Sequence, residues 1–451
     1  MTVRASPDCN GSVSQPKPSV VIVGGGFAGV GCAKELSKHG LPVTVLDRNS
    51  FHQFQPLLYQ VATAELADTD IARPLRAVFK SQKSVNVHRG EVTDVDPATR
   101  TVTTADGRTF TGDYLVLAGG SQPNFFHTPG ASEHAFPLYT VRDAVALRSR
   151  LLELIEDVDA HPELIDKGAL NFVIIGAGPT GVETAGAMAD AINRVIPRRY
   201  HGDHIKRARI ILVDLGQVVL SAFSDNAHKY AADKLQHNGV ELKLGTSVTS
   251  VAPGKVTLSD GTEILSRAVV WAGGIQAPEL AAKLGVAHGR GGRVTAQPDL
   301  TVEGFPRVYA IGDMANMPDH DGDDLPQLGS VALQAGRWAA KNILADIDGK
   351  PRQPFHYHDK GIMAMIGSGA AVAEMGAHHH ELHGHAAFAA WLGVHAWLMS
   401  GIHERVDAFI SWAWDFLGHS RTSAFIDDPD KARIDWGDDD EETPEPATTT
   451  N

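Results

Sequence analysis

One pattern occurs twice in this 451-residue chain, and it constrains the fold more than any other feature. "SVVIVGGGFAG" (19–29) and "NFVIIGAGPTG" (171–181) each pass from a short apolar run into Gly-x-Gly-x-x-Gly, then into residues with helical apolar spacing. A short, continuously apolar run suits a parallel strand buried on both faces. The first helix should stop at Gly40, a glycine suited to the position just past a helix end. "PVTVLD" (42–47) supplies the next strand, and "ARIILVD" (208–214) is its counterpart in the second copy. The repeat is longer than the glycine motif. "ADG" (105–107) lies in an alternating stretch that reads as a hairpin, and "DYLVLAGG" (113–120) as a strand ending in glycines. "KVTLSDGTEI" (255–264) and "RAVVWAGG" (267–274) repeat this order in the second half. The expected fold is α/β, with two Rossmann-like dinucleotide-binding domains and therefore two nucleotides.

Each residue of the motif has a physical task. Gly24 permits the tight turn, Gly26 lets a pyrophosphate approach the backbone, and Gly29 lets the helix pack close to the sheet. The helix N-terminus then offers unpaired N–H groups to the phosphates. Asp47 ends the next strand, 23 positions after Gly24, where a carboxylate can accept hydrogen bonds from a ribose. Gly176, Gly178 and Gly181 repeat the arrangement, with Asp214 as the acid. The excess length before Asp214 is "PRRYHGDHIKRA", which reads as a surface insertion. A carboxylate there would repel a 2′-phosphate, so the second site should take NADH rather than NADPH.

Composition removes several alternatives. A net charge of −14 argues against general nucleic-acid binding. There are two cysteines, Cys9 in a polar leader and Cys32 in an expected helix, with no Cys-x-x-Cys spacing. That argues against a zinc ribbon and a redox-active disulfide relay. The leader lacks the apolar centre of a secretory signal, and no window of about 18 apolar residues offers a spanning helix. The chain is therefore expected on the cytoplasmic side.

With both cradles and "VYAIGD" (308–313) taken together, the chain resembles the two-dinucleotide-binding flavoprotein superfamily, and within it the type II NADH:quinone oxidoreductases. The resemblance covers roughly residues 18–426. Its most specific stretch is "FHQFQPLLYQVATAEL" (51–66), which is similar to the family's H-x-F-x-P-L-L-Y-Q-V-A-T signature from His52 to Thr63. "VWAGGI" (270–275) and "IGDM" (311–314) fit as well.

The resemblance implies bound FAD, NADH as electron donor and a membrane quinone as acceptor, without proton pumping. It implies FAD contacts at Gly24, Gly26, Phe27, Ala28, Gly29, Asp47, Arg48, Val92, Ala118 and Gly119. Asp313 would meet the ribityl chain, Ala332 the flavin, and Pro56 and Gln60 the region of the isoalloxazine. NADH contacts would fall to Gly176, Gly178, Pro179, Thr180, Gly181, Asp214, Ala272 and Gly273. Glu183 would support NADH placement or proton delivery; the alternative is an ordinary first-turn glutamate favoured by the helix dipole. The family's A-Q-x-A-x-Q segment corresponds here to "GSVALQ" (329–334). Ala332 and Gln334 match, but the first Gln, placed at the quinone pocket, is Ser330. Serine could reach a quinone carbonyl only through water or a closer approach.

The expected division is a disordered leader at 1–17, an FAD domain at 18–130 and 276–350, and an NADH domain between them at 131–275. A C-terminal region at 351–426 would serve membrane association and dimer contacts, followed by a disordered acidic tail at 427–451. Segments 386–401 and 404–420 carry four of the seven tryptophans and read as amphipathic helices for a lipid surface, making the protein monotopic on the cytoplasmic face of the cell membrane. A helical pair packed on the protein's own core is the alternative. On 404–420 the apolar face holds Val406, Phe409, Ile410, Ala413, Phe416 and Leu417. "HHHELHGH" (378–385) reads as a solvated loop rather than a metal site, and no metal is expected. Arg198, Arg199, Lys206, Arg207 and Arg209 read as a solvated basic face. Two rival functions stay open: a flavin- and NADH-dependent reductase of another acceptor, and a flavin-bound redox sensor with little turnover.

Overall fold

The computed structural model describes residues 17–200, 202–376, 379–399, 406–408, 410–412, 424, 426 and 434. The chain forms two compact units. The first comprises 1–50, 75–121 and 277–357; the second comprises 51–74, 122–276 and 358–451. The segment 51–74, which carries the signature stretch, groups with the second unit.

The first unit is built on a six-stranded sheet. Its order is Thr301–Val302, Phe305–Ala310, Tyr114–Leu117, Val20–Val23, Val43–Asp47, Val85–Arg89. The last five strands are parallel. All four residues of Val20–Val23 and of Tyr114–Leu117 are buried, as continuous apolar runs require. Helix Phe27–Lys38 follows the first glycine turn and ends before Gly40, which has φ +66°, the conformation expected past a helix end. Helix Gly329–Ile347 packs on it at very close range. A Cβ on Gly336 would lie 2.1 Å from the carbonyl oxygen of Ala28. The expected hairpin around "ADG" forms from Thr101–Thr104 and Thr109–Thr111.

The second unit repeats the plan. Phe136–Pro137, Ala268–Trp271, Asn171–Ile175, Arg209–Asp214 and Val240–Leu244 form an all-parallel sheet in that order. The insertion "PRRYHGDHIKRA" forms two short 3-10 turns, and it is not wholly superficial: Ile205 is buried against Ile155 and Ile196. Beyond residue 358, three antiparallel strands, Gly361–Gly367, Ala370–Met375 and His380–His383, precede helix Gly384–Leu398. The histidine-rich stretch expected as a loop is thus an exposed edge strand, with His380–His383 paired to Val372–Met375. Of the second expected C-terminal helix, 406–408 and 410–412 are helical, and the rest lies outside the described residues. Within the expected disordered tail, Ile434 is buried; the remainder of 427–451, like residues 1–16, lies outside the described residues.

Candidate functional site

In open parallel sheets, ligands bind beyond the carboxyl ends of the strands. In the first unit four such ends converge: Gly24 after Val20–Val23, Asp47 at the end of its strand, Ala118 after Tyr114–Leu117, and Asp313 just past Phe305–Ala310. Gly24 has φ +106°, and a Cβ there would sit 2.1 Å from the Ala118 carbonyl oxygen. A Cβ on Gly29 would lie 1.9 Å from the carbonyl oxygen of Gly24. Gly26 is different, because nothing lies within 4 Å of its Cβ position. The turn is therefore closed where the backbone packs on itself and open where a pyrophosphate would lie. Helix Phe27–Lys38 begins with Phe27, Ala28 and Gly29, and has neither a side-chain cap nor an acid in its first turn. A helix start of this kind suits an anion.

Asp47 ties this loop. One carboxylate oxygen accepts the Gly25 N–H at 2.6 Å and the other the Asn49 N–H at 2.7 Å. Burial pushes its pKa up, opposed by these two donors. Arg48 is exposed, and Val92 is half-buried in strand Val92–Asp96. Gly119 points its N–H at the Met314 sulfur, 3.0 Å away. Asp313 lies in the 3-10 turn Gly312–Met314 and accepts a hydrogen bond from the Ser121 hydroxyl at 3.2 Å. Burial raises its pKa as well, with the Ser121 bond and the Arg293 charge opposing. The Gln327 amide donates to the Asp313 backbone carbonyl at 2.9 Å, fixing the segment that leads into helix Gly329–Ile347. In that helix Ala332 is buried beside Gly312, and Ser330 and Gln334 stand one turn apart on one edge. The Ser330 hydroxyl lies 2.9 Å from the Tyr357 hydroxyl.

The second unit reproduces the first cradle contact for contact. Gly176 has φ +104°, with its Cβ position 2.4 Å from the Ala272 carbonyl oxygen, and that of Gly181 is 1.7 Å from the Gly176 carbonyl. Gly178, like Gly26, faces open space. The Asp214 carboxylate accepts N–H bonds from Ala177 and Gly216, each at 2.6 Å. Pro179 opens helix Pro179–Asp190 where a backbone N–H has no intrahelical partner to lose, and Thr180 beside it is exposed. Ala272 and Gly273 are half-buried at the end of Ala268–Trp271.

Glu183 is not a first-turn residue. It is the fifth of its helix and buried, so dipole stabilisation at the helix start does not account for it. Its carboxylate accepts the Met365 N–H at 3.2 Å. The Trp391 indole also favours the ionised form, although its N–H makes no well-aligned bond. Burial outweighs both and raises the Glu183 pKa to about 8. The signature stretch packs in the same unit. Pro56 is half-buried in the 3-10 turn Gln55–Leu57, and helix Leu58–Ala62 is buried throughout. The Tyr59 hydroxyl meets the Met365 sulfur at 3.3 Å. The Gln60 side-chain carbonyl accepts the Trp412 indole N–H at 2.9 Å. Trp391 stacks on His395 with ring centroids 4.0 Å apart, and burial lowers the His395 pKa to about 4, so this imidazole is neutral.

Trp412, Met365, Tyr357, Ser121 and Gln327 carry contacts that sequence reasoning missed. The tryptophan clustering was a visible signal; the other four had none. Among the described residues Cys32 is the sole cysteine, fully buried, and burial raises its thiol pKa further. It is no redox thiol.

The geometry defines a two-cradle dinucleotide enzyme, and the family of pyridine nucleotide-disulphide oxidoreductases matches residues 18–336. A type II NADH:quinone oxidoreductase of Mycobacterium tuberculosis is 35% identical over 425 residues, covering 91% of this chain and 90% of that protein. One from Staphylococcus saprophyticus is 29% identical over 366 residues, covering 79% and 89%. The structure of NDH2 from Plasmodium falciparum in complex with NADH shares the fold at a TM-score of 0.82, with 18% identity, covering 88% of this chain and 98% of that one. The chain belongs to the type II NADH:quinone oxidoreductase family.

Proposed function

We propose that this protein uses FAD to pass electrons from NADH to a membrane quinone, without moving protons across the membrane. The observation that carries the reading is the doubled cradle, closed at Gly24 and Gly176 yet open at Gly26 and Gly178. The first cradle suits FAD, with Asp47 toward the ribose and Asp313 toward the ribityl chain. The second suits NADH, with Asp214 disfavouring a 2′-phosphate. Bound FAD would supply the redox chemistry, a two-electron relay between NADH and the quinone.

The protein's own part is binding, orientation and proton supply. Forming a quinol takes two electrons and two protons. NADH brings two electrons and one proton as hydride, so one further proton must come from outside. The Glu183 carboxyl, with a pKa near 8, holds a proton at neutral pH and can supply it. Gln334 and Ser330 belong to the quinone side of this reading. A reductase of a different acceptor is the second reading, favoured by the serine at position 330.

No described helix is long and apolar enough to cross a membrane. Trp397, Val406 and Ile410 are nonetheless 74%, 50% and 59% exposed, whereas Ala408 and Trp412 are buried. This segment presents an apolar outer stripe suited to a bilayer surface or to a second copy in a homodimer. The location we propose is peripheral, on the cytoplasmic face of the cell membrane.

The test is anaerobic. One equivalent of NADH should bleach the flavin band of the purified protein, and a soluble naphthoquinone or ubiquinone analogue should restore it promptly. Bleaching without recovery would favour another acceptor. Absence of bleaching would refute the dehydrogenase reading.

A further inference from the structure

We propose that the exposed ring of Phe126 is the surface on which the nicotinamide ring of NADH packs. The inference rests on the second cradle holding NADH. It names a binding side chain at the end of that cradle away from Asp214, where the reading above offers only Ala272 and Gly273.

The backbone at Phe126 is built against local preference. The Thr128 N–H donates to the Phe125 carbonyl at 2.8 Å, closing a four-residue turn with Phe126 and His127 at its centre. Both have positive φ, +49° and +56°. Turns with positive φ at both central residues are dominated by Gly, Asn and Asp, because a Cβ is strained there. This turn instead carries a phenylalanine and a histidine, both exposed. The Phe126 side chain is 59% exposed, so burial of its ring does not offset the strain. Strain of this kind persists only where the surroundings impose it, and it gathers at ligand sites.

Asn124 imposes it. Its N–H donates to the Gly274 carbonyl at 3.0 Å, and its own carbonyl accepts the Trp271 indole N–H at 2.8 Å. Its side-chain oxygen accepts the Phe126 N–H at 2.9 Å. Phe125 packs on Trp271 with ring centroids 5.3 Å apart. The turn is thus clamped to the end of strand Ala268–Trp271, and the Phe126 ring lies over Gly274. A Cβ on Gly274 would be 3.2 Å from that ring, and among the described residues no other side chain or backbone atom beyond its chain neighbours comes within 4 Å of the position. The ring therefore rests on glycine backbone beside open space.

The order of the sheet decides which half of a dinucleotide reaches this ring. Strand Asn171–Ile175, which leads into the cradle, lies between Arg209–Asp214 and Ala268–Trp271. A dinucleotide crosses the carboxyl ends of such strands with its pyrophosphate over the glycine turn. With the adenosine ribose at Asp214, the other half extends over Ala272, Gly273 and Gly274. These three residues present nothing larger than a methyl group to a flat ring. Phe126 supplies the aromatic face they lack, and aromatic pairs gain from ring–ring contact beyond the area they bury.

The experiment uses the full-length, flavin-loaded protein with a short-chain naphthoquinone as acceptor and ADP-ribose as competitor. F126A should raise the KM for NADH about tenfold, the loss of one ring–ring contact. The KM for the naphthoquinone should stay unchanged, as should the inhibition constant of ADP-ribose, which lacks the nicotinamide. F126Y keeps the ring and should retain the wild-type KM for NADH. A structural role for the turn would instead weaken ADP-ribose and NADH alike. An unchanged KM for NADH in F126A, or an equal weakening of both ligands, overturns the inference and leaves the NADH reading standing. Wild-type flavin that NADH does not bleach overturns both. If F126A fails to load flavin, F126L decides: a weakening confined to NADH supports the inference and its absence overturns it.

Discussion

Glu183 makes a measurable claim about stability. Its pKa is raised from an ordinary 4.5 to about 8, chiefly because the carboxylate is buried. The folded protein therefore holds this proton over a pH range in which the unfolded chain has released it. Stability must fall as pH rises wherever the folded state binds more protons. Below pH 4.5 both states are protonated and the group contributes no pH dependence. Through the window between the two pKa values, each pH unit costs 1.36 kcal/mol. At pH 7 the accumulated cost is about 3 kcal/mol, and above pH 8 it levels off near about 5 kcal/mol. E183Q removes the titration, and its amide oxygen can still accept the Met365 N–H. Denaturant titrations of flavin-loaded wild type and E183Q from pH 5 to pH 9 should give curves that diverge in favour of the variant, with the gap closing toward pH 5. In a unit of roughly this size each kcal/mol moves the thermal midpoint by about 2–4 °C, so melting curves should show the same divergence. A gap that stays constant from pH 5 to pH 9 would refute the assignment of a raised pKa. If Glu183 supplies the quinol proton, quinone turnover in wild type should also decline above pH 8, and E183Q should lose that inflection.

Three further outcomes follow from the same geometry. Gly26→Ala places its Cβ in open space, so the chain should fold with normal far-UV circular dichroism yet lose flavin absorbance near the visible maximum; Gly29→Ala, with its Cβ 1.9 Å from a carbonyl oxygen, should disrupt the first unit itself. Full flavin retention in Gly26→Ala would argue against a pyrophosphate at this turn. Asp214→Ala removes the acceptor of two backbone N–H bonds and, on the proposed reading, the charge toward the ribose; the KM for NADH should rise at least about tenfold, with the preference over NADPH shrinking. Val406→Glu with Ile410→Glu should abolish co-sedimentation with anionic vesicles while leaving NADH oxidation by a soluble acceptor intact, because burying each such side chain is worth about 1.5–3 kcal/mol; undiminished sedimentation would exclude the stripe as a lipid contact.

The cradles were legible in the sequence because their determinants are local and obligatory. Gly24 and Gly176 occupy positive φ, Gly29 and Gly181 touch a carbonyl five residues back, and Asp47 and Asp214 sit at the ends of strands paired directly to the first. Such contacts leave spacing patterns in the chain. Residues 51–74 read as part of the first nucleotide domain because they follow Asp47, yet they pack with the second unit, since contact and sequence order part company at an excursion between strands. The alternative of an ordinary helix-start acid at Glu183 stayed open because sequence shows the helix but not what covers it. Met365, which covers it, is 182 positions away.

The same contrast separates the two halves of the chemistry. Holding a dinucleotide is a backbone task, and both copies solve it in one way: an acid at the end of the second strand accepts the N–H that follows the first glycine, at 2.6 Å in each. Backbone tasks tolerate few residue types, so the repeat is visible across the whole chain. Meeting a quinone is a side-chain task. Any donor that reaches the carbonyl will serve, whichever element carries it. At position 330 a short hydroxyl stands where the family pattern has an amide, and it lies 2.9 Å from the hydroxyl of Tyr357, 27 residues later. Motif matching registers the lost glutamine and cannot register the tyrosine beside it, because that contact lies in space. A departure from a family signature at a side-chain contact is therefore weak evidence of lost activity until the neighbours of the changed residue are known. At Gly26 or Gly178, where the Cβ position is open and the backbone would meet the ligand, the same departure would weigh heavily, because no neighbouring side chain can make the room that a missing Cβ leaves.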